Sequence, residues 1–321
     1  MRYHLIALFN IFVWGTTFVS TKVLLTDFTP LWILLIRFTI GFIALCALRP
    51  HILHLKEKKH ELLFIAAGAT GIGAYYLMEN VALVFTTATA VGVIVAASPL
   101  FTAILAALLG DRSSLSPRFF LGFVIAMGGL VIIGIGSNPA GEAFSLTTDA
   151  ILGDALALLA GLVWAIYSIL VQKITNLGYE TVASTKRTFL WGLAFILPAT
   201  LIVDGATLPV QDVFEWQNLS NLVFLGVFAS AACFVTWGVS VKHLGPTIST
   251  TYIYLVPVIT ATSAIILLGE PLNESIVVGV VMTIAGLLVS QKRNASRRRG
   301  DETHKKLKEN SKRLPQEELE N

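Results

Sequence analysis

Charge is scarce in this sequence. Asp, Glu, Lys and Arg make up 13% of its 321 residues, where a water-facing domain carries about a quarter. So few charges cannot cover a surface in contact with water, which excludes an ordinary soluble enzyme or binding domain. Cysteine is nearly absent as well. Cys46 and Cys233 both sit inside apolar runs, at no zinc or disulfide spacing, and read as small packing residues. Also missing are a His-Glu-x-x-His run, a Gly-x-Ser-x-Gly run and paired intramembrane carboxylates, so the chain offers no catalytic set and no metal or cofactor site. The run Gly68-Ala69-Thr70-Gly71-Ile72-Gly73 lies inside an apolar stretch with no following Lys, which argues against a nucleotide site. Nothing alternates with period two, which argues against a barrel.

Apolar sequence fills the space instead. Hydrophobic residues make up 55% of the chain, and the mean hydropathy is +0.75. The first run, Leu5 to Leu25, contains Asn10 and Trp14 and no small-x-small cleavage site, so it reads as a span rather than a removed signal. Runs of similar length follow at Pro30–Leu48, Leu62–Val84, Thr87–Leu109 and Phe119–Gly136. A second set covers Leu152–Ile174, Glu180–Val203, Leu219–Val241, Pro246–Gly269 and Ser275–Ser290. A helix crosses the hydrocarbon core in about 20 residues. Backbone groups in lipid must be satisfied within each segment, so an all-α membrane protein of ten transmembrane helices is predicted.

Charge asymmetry orients it. Arg49, Lys56, Lys58, Lys59, Arg112, Arg118, Lys173, Lys186, Arg187 and Lys242 all fall on one side of the predicted spans. The opposite loops hold Asp27, Glu142, Asp149, Asp204, Asp212, Glu215 and Glu274 without any Lys or Arg. By the positive-inside rule both termini are cytoplasmic. Ten of the 23 Lys and Arg lie beyond residue 290. The stretch 292–321, with Arg297–Arg299 and Lys305–Lys308 among many Glu, Asn and Ser, cannot bury a core. It is predicted to be a mobile cytoplasmic tail that anchors topology at anionic headgroups; no nucleic-acid partner is needed to explain it.

Residues recur between the halves. Trp14 matches Trp164, and Arg37 matches Arg187 at the same spacing. Gly68 matches Gly226, Pro99 matches Pro257, Gly110-Asp111 matches Gly269-Glu270, and Gly122, Gly129 and Leu130 match Gly279, Gly286 and Leu287. Five spans per half is an odd number, so the second copy enters the membrane from the other side. That is an inverted repeat, the architecture of a carrier that rocks around a central site.

These residues resemble a known family, the drug/metabolite transporter superfamily with paired EamA domains. The resemblance is carried by Trp14-Gly15-Thr16-Thr17-Phe18, Arg37-Phe38, Asn80-Val81-Ala82-Leu83 with Ala88, Ser98-Pro99-Leu100-Phe101, Pro257 and Gly269-Glu270-Pro271. It covers Leu5 to Ser290. Asp111, where the family has Glu, and Ala165, in place of a glycine, are mild departures. The resemblance implies one EamA repeat over residues 1–137, a second over 150–291, and the tail beyond. It further implies export of amino acids, related metabolites or toxic compounds, often in exchange for protons.

The residues expected to carry transport are few. Glu79 is an isolated carboxylate deep in span three, and a charge there costs about 2.5 kcal/mol or more. Helix rise puts Glu79 roughly 7 Å, Lys22 roughly 5 Å and Arg37 roughly 10 Å below the outer side. The three are expected to meet in an outward pocket, with Glu79 holding a substrate amine or a coupling proton and Arg37 a carboxylate. The competing readings are a structural Arg37–Glu79 ion pair and a Lys22 that snorkels to the headgroups. Arg187 either snorkels at the inner end of span seven or forms an inner gate. Pro99 and Pro257, at mid-span in both halves, are expected to break their helices at the cavity or at a hinge. Trp14, Tyr76, Trp164, Tyr167, Trp237, Tyr252 and Tyr254 lie at mid-span, away from the interfacial belts. With Asn80 beside Glu79, they suggest an aromatic-walled site for amphipathic solutes, where cation–π attraction favours amines. Either core packing or the site accounts for each ring singly. Gly122 and Gly129, and Gly279 and Gly286, mark close helix packing within the chain or a homodimer contact.

The expected function is a secondary transporter that exports small metabolites across a bacterial or archaeal plasma membrane by alternating access, with protons as candidate coupling ion. A nucleotide-sugar or metabolite uptake carrier and a membrane sensor with the tail as output are the alternatives.

Overall fold

The computed structural model describes residues 1–86, 88–111, 115–137, 148–205, 210–268 and 274–291. The tail 292–321, Arg112, Glu142 and the motif Gly269-Glu270-Pro271 lie outside them. Every regular element among the described residues is helical, as the demand for internally satisfied backbone in lipid requires. Besides a single turn at Val210–Val213, they are in order α1 (Arg2–Leu24), α2 (Pro30–Leu48), α3 (Lys58–Phe85), α4 (Ala88–Val95), α5 (Ser98–Leu108) and α6 (Pro117–Ser137), then α7 (Thr148–Asn176), α8 (Thr181–Val203), α9 (Trp216–Leu244), α10 (Pro246–Thr251), α11 (Leu255–Leu268) and α12 (Glu274–Gln291). Seven segments are long and apolar enough to cross a membrane, and Pro117–Ile133 and Glu274–Ser290 are shorter apolar helices. The chain is an all-helical, multi-pass membrane protein.

Local chemistry places the turns. Thr29 caps α2 by accepting a hydrogen bond from the Trp32 amide at 3.3 Å, with Pro30 at the first helical position, where its missing N–H costs nothing. The reversal between α9 and α10 turns on Gly245 at φ 84°, a conformation that a side chain strains, and Pro246 then opens α10.

Several spans are irregular at their middles. Within α3, residues Ala69–Ala74 form a π-helical stretch, and within α9, Phe224–Ala232 form another. Pro99 stands in the first turn of α5, just after the helix has broken at Ala96–Ala97. Pro257 lies in the first turn of α11, after a tight 3-10 turn at Tyr252–Tyr254. The two prolines therefore start helices rather than interrupt them, because the ring suits a first turn and not a helix interior.

Small residues set the closest crossings. A Cβ on Gly129 would lie 2.6 Å from the Gly279 carbonyl oxygen, and one on Gly122 2.6 Å from that of Gly286. The paired numbers run in opposite directions, so α6 and α12 cross antiparallel with backbones touching. The glycine stripe is thus filled within the chain, which removes the homodimer reading for this face. Gly41 of α2 meets Gly226 of α9, and Gly192 of α8 meets α3 at Gly68 and Ile72.

Polar ties gather at two ends. At the basic end, Arg187 pairs with Glu61, Arg49 with Glu180 at 2.8 Å, and Lys186 donates to the carbonyls of Arg49 and His51 at 2.6 and 2.8 Å. The snorkelling reading of Arg187 fails because Glu61, with Trp191 donating to it at 2.6 Å, gives the guanidinium a protein partner. At the acidic end, Thr29 donates to Asp204, Asn218 to Asp27 at 2.8 Å and Thr86 to Asp154 at 3.0 Å.

Candidate functional site

A narrow cavity of about 40 Å³ lies between α1, α3, α4, α7 and the α10–α11 break, lined by Trp14, Thr17, Phe18, Tyr75, Tyr76, Glu79, Gly92, Val95, Trp164, Ile253 and Val256. Each lining residue lies at the middle of its span or on the side of the acidic end. Helix α1 presents Trp14, Thr17 and Phe18 because positions three and four apart share a face. The same rule puts Tyr75, Tyr76 and Glu79 of α3 on one wall.

The floor is aromatic. Trp14, Trp164 and Trp237 form a triangle with ring centroids 5.2, 5.2 and 5.5 Å apart. Beneath it, Phe38, Phe189 and Phe234 pack edge to face at 5.2 to 5.9 Å. Such pairs add about 0.5–1.5 kcal/mol each beyond burial. Together the rings separate the cavity from the basic end.

The π-helical stretches position this floor. In α9 the carbonyl of Ala229 accepts a hydrogen bond from the Trp14 indole at 3.0 Å, fixing that ring. In α3, Gly71 leaves room for the Tyr167 ring, which a Cβ there would meet at 2.2 Å. Tyr167 in turn packs on Trp164 at 5.0 Å. Gly15, backed against Ile259, lets α1 and α11 touch, and Thr260 donates to the Gly15 carbonyl at 2.8 Å.

Polar groups in the cavity are few. Glu79 is only 8% exposed, and no salt bridge among the described residues reaches it. Tyr75, one turn earlier, is its neighbour on the same face of α3. The Trp164 indole N–H is buried without a partner. Thr17 spends its hydroxyl on the Trp14 carbonyl at 2.7 Å. What the cavity can present to a solute is therefore one carboxyl, tyrosine hydroxyls and ring faces.

Of the residues expected from sequence, Trp14, Tyr76, Glu79 and Trp164 line the cavity, and the others do not. Trp237 is fully buried behind the two lining tryptophans, with its N–H unpaired. Tyr167 sits behind Trp164, and Tyr254 is buried against Phe123. Tyr252 is tied to His4 at 2.5 Å. Asn80 turns toward the Pro30 carbonyl at 3.5 Å and joins α3 to α2. Lys22 is exposed, so its charge stays outside, as snorkelling requires. Arg37 forms no ion pair with Glu79; its guanidinium stacks on Tyr76 at 4.7 Å, outside the lining, and donates to Ser230 at 3.1 Å. Pro257 stands behind the cavity wall, its Cγ 3.7 Å from the Cβ position of Gly92. Pro99 is buried at the start of α5.

Comparison with known proteins places these features in a family. The EamA-like transporter family matches residues 1–135 and 151–291. An uncharacterized transporter of Archaeoglobus fulgidus is 28% identical over 289 residues, covering 89% of this chain and 96% of that protein. A probable terminal-alkyne amino-acid exporter of Streptantibioticus cattleyicolor is 29% identical over 295 residues, covering 90% and 93%. A probable amino-acid metabolite efflux pump of Escherichia coli is 27% identical over 294 residues, covering 89% and 93%. A solved crystal structure superposes with a TM-score of 0.71 at 19% identity, covering 90% of this chain and 96% of that one. It shares the fold.

Proposed function

The chain belongs to the EamA-like transporter family, and from that premise we propose that it is a secondary carrier exporting small amphipathic metabolites of the amino-acid class. In this reading ten spans form two inverted repeats, 1–137 and 150–291. Both termini are cytoplasmic, and the membrane is a bacterial or archaeal plasma membrane. Support for the repeats comes from paired features. The π-helical stretch of α3 begins directly after Gly68 and that of α9 contains Gly226, the proline-led breaks fall at Pro99 and Pro257, and α6 crosses α12 antiparallel. Such halves can exchange roles by rocking around a shared centre.

The observation that carries the proposal is Glu79: a buried carboxyl without an ion pair among the described residues, in a cavity walled by Trp14, Tyr75, Tyr76 and Trp164. A carboxylate so placed is stabilised by a proton or by a bound cation. If the two compete for one carboxyl, export of an amine is coupled to proton entry. Ring faces add cation–π attraction and take the apolar side chain. Two of the relatives are named for export of amino acids or their metabolites, and the same class suits this lining.

The test is growth of a bacterial host overproducing the wild type or Glu79→Gln under challenge with toxic amino-acid analogues and cationic drugs. The wild type is expected to protect against a chemically coherent set, and Glu79→Gln to lose that protection at equal membrane abundance. Protection by both would remove Glu79 from the path, and protection by neither would overturn export of these solutes.

A further inference from the structure

We propose that Arg37 is the anion-binding half of the substrate site, so that the transported solute carries a carboxylate as well as an amine. The inference rests on the carrier reading above. Arg37 is 2% exposed, yet no salt bridge among the described residues gives its charge a carboxylate. Its Nε donates to Ser230 Oγ at 3.1 Å, while its Nη2 is buried with no hydrogen-bond partner. Leaving a guanidinium N–H unmade in an apolar interior is costly, and guanidinium is the group best matched to a carboxylate's two oxygens.

Position favours the same ligand. Tyr76 lines the cavity, and the Arg37 guanidinium lies over its ring, 4.7 Å from the centroid. Glu79 follows Tyr76 by three residues, on the same face of α3. Arg37 is close enough to act on Glu79 electrostatically, though the two are not paired. An acid and a base therefore lie beside one tyrosine of the cavity wall. A rotamer change of Tyr76 would open Arg37 to the cavity. A zwitterion satisfies both poles, with its ammonium on Glu79 and its carboxylate on Arg37. A simple amine satisfies only Glu79.

Calorimetric titration of the purified full-length protein tests this with three probes: L-phenylalanine, L-phenylalaninamide and 3-phenylpropionate. Wild type is expected to bind L-phenylalanine about tenfold or more tightly than either single-pole probe. In Arg37→Gln that preference over the amide disappears, while the affinity for the amide stays within about twofold. Equal wild-type affinity for L-phenylalanine and its amide would overturn the inference and leave the carrier reading standing, and this arm needs no variant to fold. So would an Arg37→Gln variant that weakens both alike, since a merely structural arginine acts on both. Failure of the wild type to bind any of the three would overturn the inference together with the amino-acid reading beneath it.

Discussion

The indole rings of Trp14 and Trp164 meet edge to face, 5.2 Å between centroids and 88° between planes. They occupy matching places in the two halves of the sequence, so the contact brings corresponding points of α1 and α7 together at the cavity floor. Their donors are used differently. Trp14 gives its N–H to the Ala229 carbonyl in the π-helical stretch of α9, whereas the Trp164 N–H has no partner. One tryptophan is anchored to the scaffold, and its counterpart keeps a buried, unpaired donor.

That difference separates two substitutions at one position. Trp164→Phe keeps a ring against Tyr75, Tyr167 and Trp237 but removes the free donor, so stability should change by about 1 kcal/mol or less while solute affinity falls about tenfold. Trp164→Ala should lose about 3–5 kcal/mol of stability by leaving a cavity among five rings. Thermal unfolding in detergent and a binding titration on the same preparations check both. An affinity unchanged in Trp164→Phe would show that the indole N–H does not meet the solute.

Gly71 and Tyr167 offer a test by rescue. A Cβ on Gly71 would lie 2.2 Å from the Tyr167 ring, and a ring held on Trp164 cannot easily yield. Gly71→Ala should therefore cost about 1–3 kcal/mol by overpacking. In the background of Tyr167→Ala the same change should be nearly neutral, a coupling that a double-mutant cycle of melting temperatures reads directly. Additive effects would mean that the contact is not what fixes α3 against α7.

What was legible in the sequence were the exceptions to apolarity. Glu79 stood out because a charge in a span is expensive, and Pro99 and Pro257 because proline removes a backbone hydrogen bond from a helix and recurs at matching places in the two halves. Trp14 and Trp164 stood out because they are aromatic at mid-span. Gly92, Val95, Ile253 and Val256 were invisible because membrane spans are apolar on every face, so periodicity does not separate cavity from core or lipid. Thr17 and Phe18 lay inside the quoted Trp14 motif, and helical spacing from Trp14 could have found them. Arg37 was expected in the pocket, but sequence carries no information on the Tyr76 ring that its guanidinium lies over instead. The π-helical stretches left no mark at all, since their cause is the fit of α3 and α9 to their neighbours.

The α6–α12 crossing depends on four glycines with no side chain to yield. Gly129→Leu would drive its side chain into the Gly279 carbonyl and the Thr283 hydroxyl, each 2.6 Å from the Cβ position. A loss of about 1–3 kcal/mol or more is expected, read as a lower melting temperature and reduced membrane abundance. Gly128→Leu, whose Cβ position meets only the flexible end of Met282 at 3.4 Å, should change little and serves as the control.

The basic end is tied by ion pairs and hydrogen bonds between distant parts of the chain. Arg187 pairs with Glu61 and donates to the Leu53 carbonyl at 3.0 Å, and Lys186 holds the carbonyls of Arg49 and His51. All of these ties run between the first half of the chain and the second. If the halves rock, they must break before the aromatic floor is reached from that side. The Arg187–Glu61 pair is only partly buried, so its removal should shift the balance of states by about 1 kcal/mol, or roughly fivefold. Cys233 reports the shift, because it is fully buried and adjoins Phe234 at the floor. In a Cys46→Ser background, Glu61→Gln should raise the labelling rate of Cys233 by a membrane-permeant maleimide roughly fivefold. A solute that stabilises the closed basic end should reverse the gain. An unchanged rate in Glu61→Gln, with the fold intact, would mean that the Arg187–Glu61 tie holds loops together without gating the floor.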